Sequence, residues 1–155
     1  MNKLIYIPAM VVFTTLFLFE LNTPVYPGKV FQQDKTIAPA IAITNIHNKD
    51  TVCERPMVEI KTNDKRITVV KIVVHDLLND VYWVQPKVDR VENTNDWRPS
   101  PLPYIGRPGM DGGKSFEIRA IANPSPELHE GDTSRVWPAG LLRSAIVLVI
   151  RSKKC

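Results

Sequence analysis

From Ile41 onward, apolar residues either alternate with polar ones or run in short blocks, and turn-forming residues separate the blocks. Ile41–Ile46, with Ile41, Ile43 and Ile46 as its large apolar members, reads as a first strand, and His47-Asn48-Lys49-Asp50 as the turn after it. Met57–Lys61 is a second strand, turned by Asn63-Asp64-Lys65. Ile67–His75 is β-branched almost throughout and apolar on both parities, which predicts a central strand with a bulge to use both faces. Val81–Gln85 is a fourth strand stopped by Pro86, with Val88–Val91 continuing it beyond the proline. Trp97–Ile105 has alternate positions suited to a core. Its prolines at 99, 101 and 103 cannot donate to a ladder, so the pattern places it at a sheet edge. Gly106–Gly113 is a long turn. Ser115–Ala122 alternates cleanly, with Phe116, Ile118, Ala120 and Ala122 on one face. Asn123–Gly140 carries three prolines and reads as a long loop, the kind that is usually functional or mobile. Ala145–Ile150 closes the series. Seven such strands without an amphipathic helix predict an all-β, two-sheet Greek-key sandwich.

The first forty residues follow other rules. Lys3 precedes sixteen residues without a charge, Leu4–Phe19, and Glu20 ends the run. Residues 1–21 therefore read as a secretory signal peptide or, if uncleaved, as a signal anchor. No small-x-small triplet directly follows Phe19, whereas Ala38-Pro39-Ala40 lies far downstream. The absence of a cysteine after the apolar run argues against a bacterial lipoprotein. Residues 22–40 are polar and turn-rich without a period, a flexible linker, and 41–155 form the domain. The expected location is outside the cytoplasm: periplasmic, secreted or tethered by the N-terminal segment.

Composition changes this picture only at two points. Thirteen prolines in 155 residues oppose a helical bundle, because proline removes an amide donor and clashes inside helices. The net charge is +4, and beyond residue 30 there are 18 basic and 15 acidic residues spread along the chain. Only Arg151-Ser152-Lys153-Lys154 is a basic cluster, so nucleic acid is not an expected partner.

Four segments carry a resemblance: Val52-Cys53-Glu54-Arg55-Pro56, Tyr82–Pro86, Tyr104–Gly109 and Phe116–Pro124. They resemble segments of bacterial immunoglobulin-like domains, which occur alone or appended to exported and cell-surface proteins. The resemblance spans about residues 41–151. It implies an immunoglobulin-like sandwich and no particular chemistry, since such sandwiches serve many roles. In that strand order the first and last strands are parallel neighbours, which brings Cys53 and Cys155 within reach of a disulfide. Two free thiols, or a bond from Cys155 to another chain, remain open.

Candidate chemistry is sparse. His47, His75 and His129 each have a nearby acid (Asp50, Asp76 and Glu130), but their spacing matches no metal motif and they read as ordinary turn or strand-end residues. Ser115, Ser125 and Ser144 lack a nucleophile-elbow context. Gly112-Gly113-Lys114-Ser115 lacks the preceding glycine of a phosphate-binding loop and leads into a strand, so it reads as a turn. The aromatic residues are more suggestive. Tyr82 and Trp83 are adjacent on a strand and cannot both point inward. An exposed aromatic beside Arg90, Arg98 or Arg107, with Tyr104 in the same set, suits protein or glycan contact. The expectation is an exported protein-binding module without catalytic activity or cofactor, using Tyr82, Trp83, Arg98, Tyr104 and Arg107. A coplanar row of exposed aromatics would instead mark a carbohydrate-binding module. A third reading, a small envelope hydrolase in the Asn123–Gly140 loop, requires histidines, or a histidine and a serine, to converge.

Overall fold

The computed structural model describes residues 39–155, so the signal or anchor over 1–21 and all but the end of the linker lie outside the described residues. In chain order the strands are β1 (Ile41–Ile43), β2 (Asp50–Val52), β3 (Ile60–Thr62), β4 (Val70–Asp76), β5 (Val81–Val84), β6 (Val88–Arg90), β7 (Asp96–Pro99), β8 (Ser115–Pro124), β9 (Thr133–Ser134), β10 (Gly140–Arg143) and β11 (Val147–Arg151). No described residue is helical, and no helix among them is long and apolar enough to cross a membrane.

Two sheets form. One has the order β1-β3-β7-β6. The other runs β2-β11-β8-β4-β5-β9, with β10 also paired to β8. Every pairing is antiparallel except that of β2, which lies parallel to β11. The sheets bury one core between them. Val70, Ile72 and Val74 of β4 and Phe116, Ile118 and Ala120 of β8 face Ile41, Ile60, Val88 and Trp97 of the smaller sheet. Trp97 keeps its polar edge satisfied in that core by donating its indole N–H to Thr62 Oγ1 at 3.0 Å.

The structure corrects several strand expectations. Ile67–His75 needs no bulge. β4 pairs without interruption against β8 from Val70↔Ala122 to Asp76↔Phe116. Its second apolar face is buried because the 124–139 segment folds back over it. Val73, Tyr82, Val84 and Ile121 pack under Leu128 and Trp137 as a second cluster on the outer side of the larger sheet. That segment therefore covers a sheet face instead of forming a plain loop, and it contributes β9 against β5 and leads into β10.

The Trp97–Ile105 segment is also not an edge. Only Asp96–Pro99 is a strand, and it lies between β3 and β6. The prolines cost it nothing. Arg98 pairs with Asp89 and the Ser100 amide donates to Lys87 O at 3.0 Å, so these residues face β6, while Pro99 faces the side of β3, which has no strand residue before Ile60. Val88–Arg90 does not continue β5 after Pro86 but crosses to the other sheet. β2 arises in what reads as a turn, because Lys49 and Asp50 hydrogen-bond and pair with β11. Ala145 and Ile146 lie outside the final strand, where Ser144 interrupts the run. Its Oγ accepts the Ala120 amide and its own N–H donates to Ala120 O.

Cys53 and Cys155 form a disulfide with Cα atoms 5.6 Å apart. Parallel pairing of β2 with β11 produces the proximity: Cys53 directly follows β2, and Cys155 ends the tail after β11. A disulfide of this kind suggests an oxidising environment.

Candidate functional site

At the end of β5 the chain runs Trp83-Val84-Gln85-Pro86, and Trp83 occupies the inward-facing parity opposite Val74. Trp83 remains half-buried and stands apart from the central core. Together with Pro86, Tyr104, Arg107, Pro108 and Glu130 it lines an open cleft of about 260 Å³. Gln85 joins the two halves. Its side-chain oxygen accepts the Tyr104 amide at 2.8 Å, and its side-chain nitrogen donates to Trp83 O at 3.3 Å. Tyr104 is 37% exposed, and the guanidinium of Arg55 lies 4.7 Å from its ring centroid. The Trp83 indole N–H has no hydrogen-bond partner among the described residues.

The expected set is thus split. Trp83, Tyr104 and Arg107 converge. Tyr82 does not join them, because it points to the other face. There it lies flat on His75, with ring centroids 3.8 Å apart, and is covered edge-on by Trp137. Burial raises the Tyr82 hydroxyl pKa above its ordinary value, and the nearby Asp80 and Glu117 carboxylates add to the effect. Arg98 is exposed on the smaller sheet, paired with Glu59 at 2.7 Å, away from the cleft. Arg55 is the member that sequence reading missed. Its motif, Cys53-Glu54-Arg55-Pro56, held the signal, but only the fold lays it over Tyr104.

Arg107 is presented by a turn whose shape depends on Asp111. That carboxylate is fully buried and accepts four bonds: the Arg107 amide at 2.7 Å, Arg107 Nε and Nη2 at 3.2 and 3.1 Å, and Lys114 Nζ at 2.6 Å. Its pKa is held well below the ordinary 3.8, first by the Arg107 side chain and then by Lys114 and the Arg107 amide, against the opposing effect of burial. A carboxyl lowered on folding contributes stability that is complete above its unfolded pKa and is lost as pH falls toward the folded value. Asp111→Asn is therefore expected to cost about 2 kcal/mol at pH 7 and much less near pH 2. Urea titrations of both proteins across that range measure the difference, and a cost independent of pH would show that the charge of Asp111 does not matter.

Two of the three histidines are surface turn residues as expected, although His129 has Asp132 and not Glu130 beside it, while His75 differs in both burial and partners. His47 and His129 are exposed beside Asp50 and Asp132, at 3.6 and 3.7 Å. His75 is buried, with Nδ1 2.9 Å from Glu117 and Nε2 3.0 Å from Asp80. Its partners are a cross-strand residue and a turn residue. Neighbouring Asp76 faces the other way and caps the 77–80 turn through the Leu78 and Asn79 amides. None of the three histidines hydrogen-bonds a serine among the described residues. The Gly112–Ser115 run is a turn into β8, and its Lys114 is committed to Asp111.

No protein-family model matches the chain, and neither curated proteins nor solved structures give a match.

Proposed function

We propose that residues 41–155 are an immunoglobulin-like Greek-key module of an exported protein, and that the module binds another envelope or extracellular protein through the Trp83–Tyr104 cleft. The strand order supports the first part: the leading strand is split between the sheets, and its second half runs parallel to the last strand. The disulfide is consistent with export. The observation that carries the second part is the makeup of the cleft. Two part-exposed aromatics stand with two prolines, Arg107 and Glu130 in its lining, and Arg55 lies over the Tyr104 ring. Interfaces favour this mixture of aromatic anchor and arginine, whereas glycan stacking calls for a coplanar aromatic row. No catalytic step or cofactor belongs to this reading.

The full chain, immobilised and exposed to a bacterial envelope extract, is expected to retain a specific partner. Trp83→Ala weakens that retention roughly 30-fold, the loss of one hot-spot side chain, while Leu141→Ala on the exposed side of β10 leaves it intact. A partner held equally well by Trp83→Ala would end the proposal.

A further inference from the structure

A second surface arises where the two sheets part company. β5 stops because Pro86 has no amide to offer: the Gln85 amide donates to Ile72 O at 2.9 Å, and the chain then crosses to β6 in the other sheet. β4 runs on past that point. The Asn123 amide donates to Val69 O at 2.8 Å, so Val69 and Lys71 direct their backbone groups at β8. Ladder alternation turns those of Val70 the other way, into the space β5 has left. β6 shows the same condition in the facing sheet. The Ser100 amide donates to Lys87 O and the Val91 amide to Asp96 O, so Lys87, Asp89 and Val91 face β7. Val88 and Arg90 direct their N–H and C=O groups outward from the last strand of that sheet.

Val70 and the whole of β6 line one cleft of about 570 Å³. Its apolar floor includes Ile67 and Trp97. Its rim is cationic. Lys87 pairs with Asp89 at 2.5 Å, which leaves Lys65, Lys71 and Arg90 against Glu127, and none of these four makes a salt bridge among the described residues. The Arg90 guanidinium lies 5.2 Å from the Trp97 ring centroid.

Short, charged edge strands commonly protect a sheet from unwanted pairing. That accounts for Lys87, Asp89 and Arg90. It does not account for Lys65 and Lys71, which come from the β3–β4 connection and from the opposite sheet yet ring the same opening.

We infer that this cleft takes an extended acidic peptide segment of a partner protein, added as a further strand beside β6. Strands pair about 4.8 Å apart and stacked sheets lie about 10 Å apart, so a strand laid along β6 fits beside it in the sheet plane. The backbone of the peptide meets the outward groups of Val88 and Arg90. Alternate apolar side chains rest over Val70 and Trp97, and acidic ones reach Lys65, Lys71 and Arg90. An acidic polysaccharide would meet the charges but has no amide ladder to match the strand edge. The site is separate from the Trp83–Tyr104 cleft and stands or falls independently of it.

The test uses the full chain and a capped peptide of alternating glutamate and valine. Saturable binding at low salt is expected, with amide hydrogen exchange at Val88 and Arg90 slowed at least ~10-fold. Lys71→Glu, at a half-buried rim position, weakens binding roughly 10-fold. Arg90→Pro removes an edge donor without touching a bond to β7 and abolishes the slowed exchange. Trp83→Ala leaves binding unchanged. The inference is overturned if the peptide does not bind, if a lysine-valine peptide binds as well, or if Lys71→Glu has no effect. Binding without slowed exchange, or heparin occupying the cleft in place of the peptide, overturns it equally, because strand addition is then not the mode.

Discussion

Replacing both Cys53 and Cys155 by serine is expected to lower the unfolding free energy by about 4 kcal/mol. The bond joins residues 102 apart, so it closes a loop that contains almost all of the described chain. Loop-closure entropy removed from the unfolded state grows with that span, which is why the expected effect lies in the upper part of the range for one disulfide. The native state adds to it. β2 is three residues long, at the end of its sheet order, and paired only through the parallel ladder to β11. Cys53 follows it at once. Next to the bond, Arg151 is buried, pairs with Glu54 and donates to Arg107 O. Without the covalent tie, β2 and the tail after β11 are held by a few hydrogen bonds and by the pair that buried Arg151 makes with part-exposed Glu54. Urea unfolding of the oxidised protein, the reduced protein and the double-serine variant measures the effect. The last two should agree, and a loss below about 1 kcal/mol would show that neither loop closure nor the β2 anchor operates here.

The reach of sequence reading can be judged from the same residues. Alternation found the strands that bury one face over several positions, such as Ser115–Ala122, because a period of two is a local property. It could not find β2. Asp50-Thr51-Val52 is too short to show a period, and the strand exists only because β11, about a hundred residues later, pairs with it. Nor could it assign β6 to a sheet, since a strand that changes sheets keeps the same pattern. The double-sided apolarity of β4 was visible, but its cause was not. Leu128 and Trp137, the residues that cover the outer face, sit nine apart in a proline-rich stretch with no period of their own. The candidate site was half legible for the same reason. Parity separates Tyr82 from Trp83 but does not say which faces the core. Here the covering segment reverses the simple expectation: the outward-facing Tyr82 is the more buried, and the inward-facing Trp83 lies at a rim the smaller sheet does not cover. The pairing of His75 with Glu117 could have been found by setting the two strongest strands antiparallel, whereas its contact with Asp80 depends on a turn residue with φ of 51°.

Phe116→Ala is the second large effect, and its size has an informative partner. Phe116 is fully buried in the central core, and truncating such a ring costs about 4 kcal/mol through lost transfer energy and the cavity left behind. The tip of the ring also lies against Gly106. A Cβ at Gly106 would stand 2.6 Å from Phe116 Cζ, and Gly106 has φ of +78°. Gly106→Ala alone therefore meets a steric penalty, largest from the ring and smaller from Asp111, and a backbone one from the left-handed conformation, together about 2–3 kcal/mol. In a Phe116→Ala background the ring is gone, and what remains is the backbone penalty of about 1 kcal/mol with the close approach to Asp111 Cβ and Oδ2, at 3.0 and 3.1 Å. The two substitutions should thus be non-additive, with a coupling of about 1–2 kcal/mol in a double-mutant cycle followed by urea unfolding. The same contact reaches the candidate cleft, because the turn that starts at Gly106 presents Arg107 and encloses Asp111. Phe116→Ala should then weaken partner capture beyond its loss of stability, while Phe116→Leu, which keeps most of the volume, retains it. Strict additivity in the cycle would mean that the ring does not brace the turn, and the link from core to cleft would have to be given up.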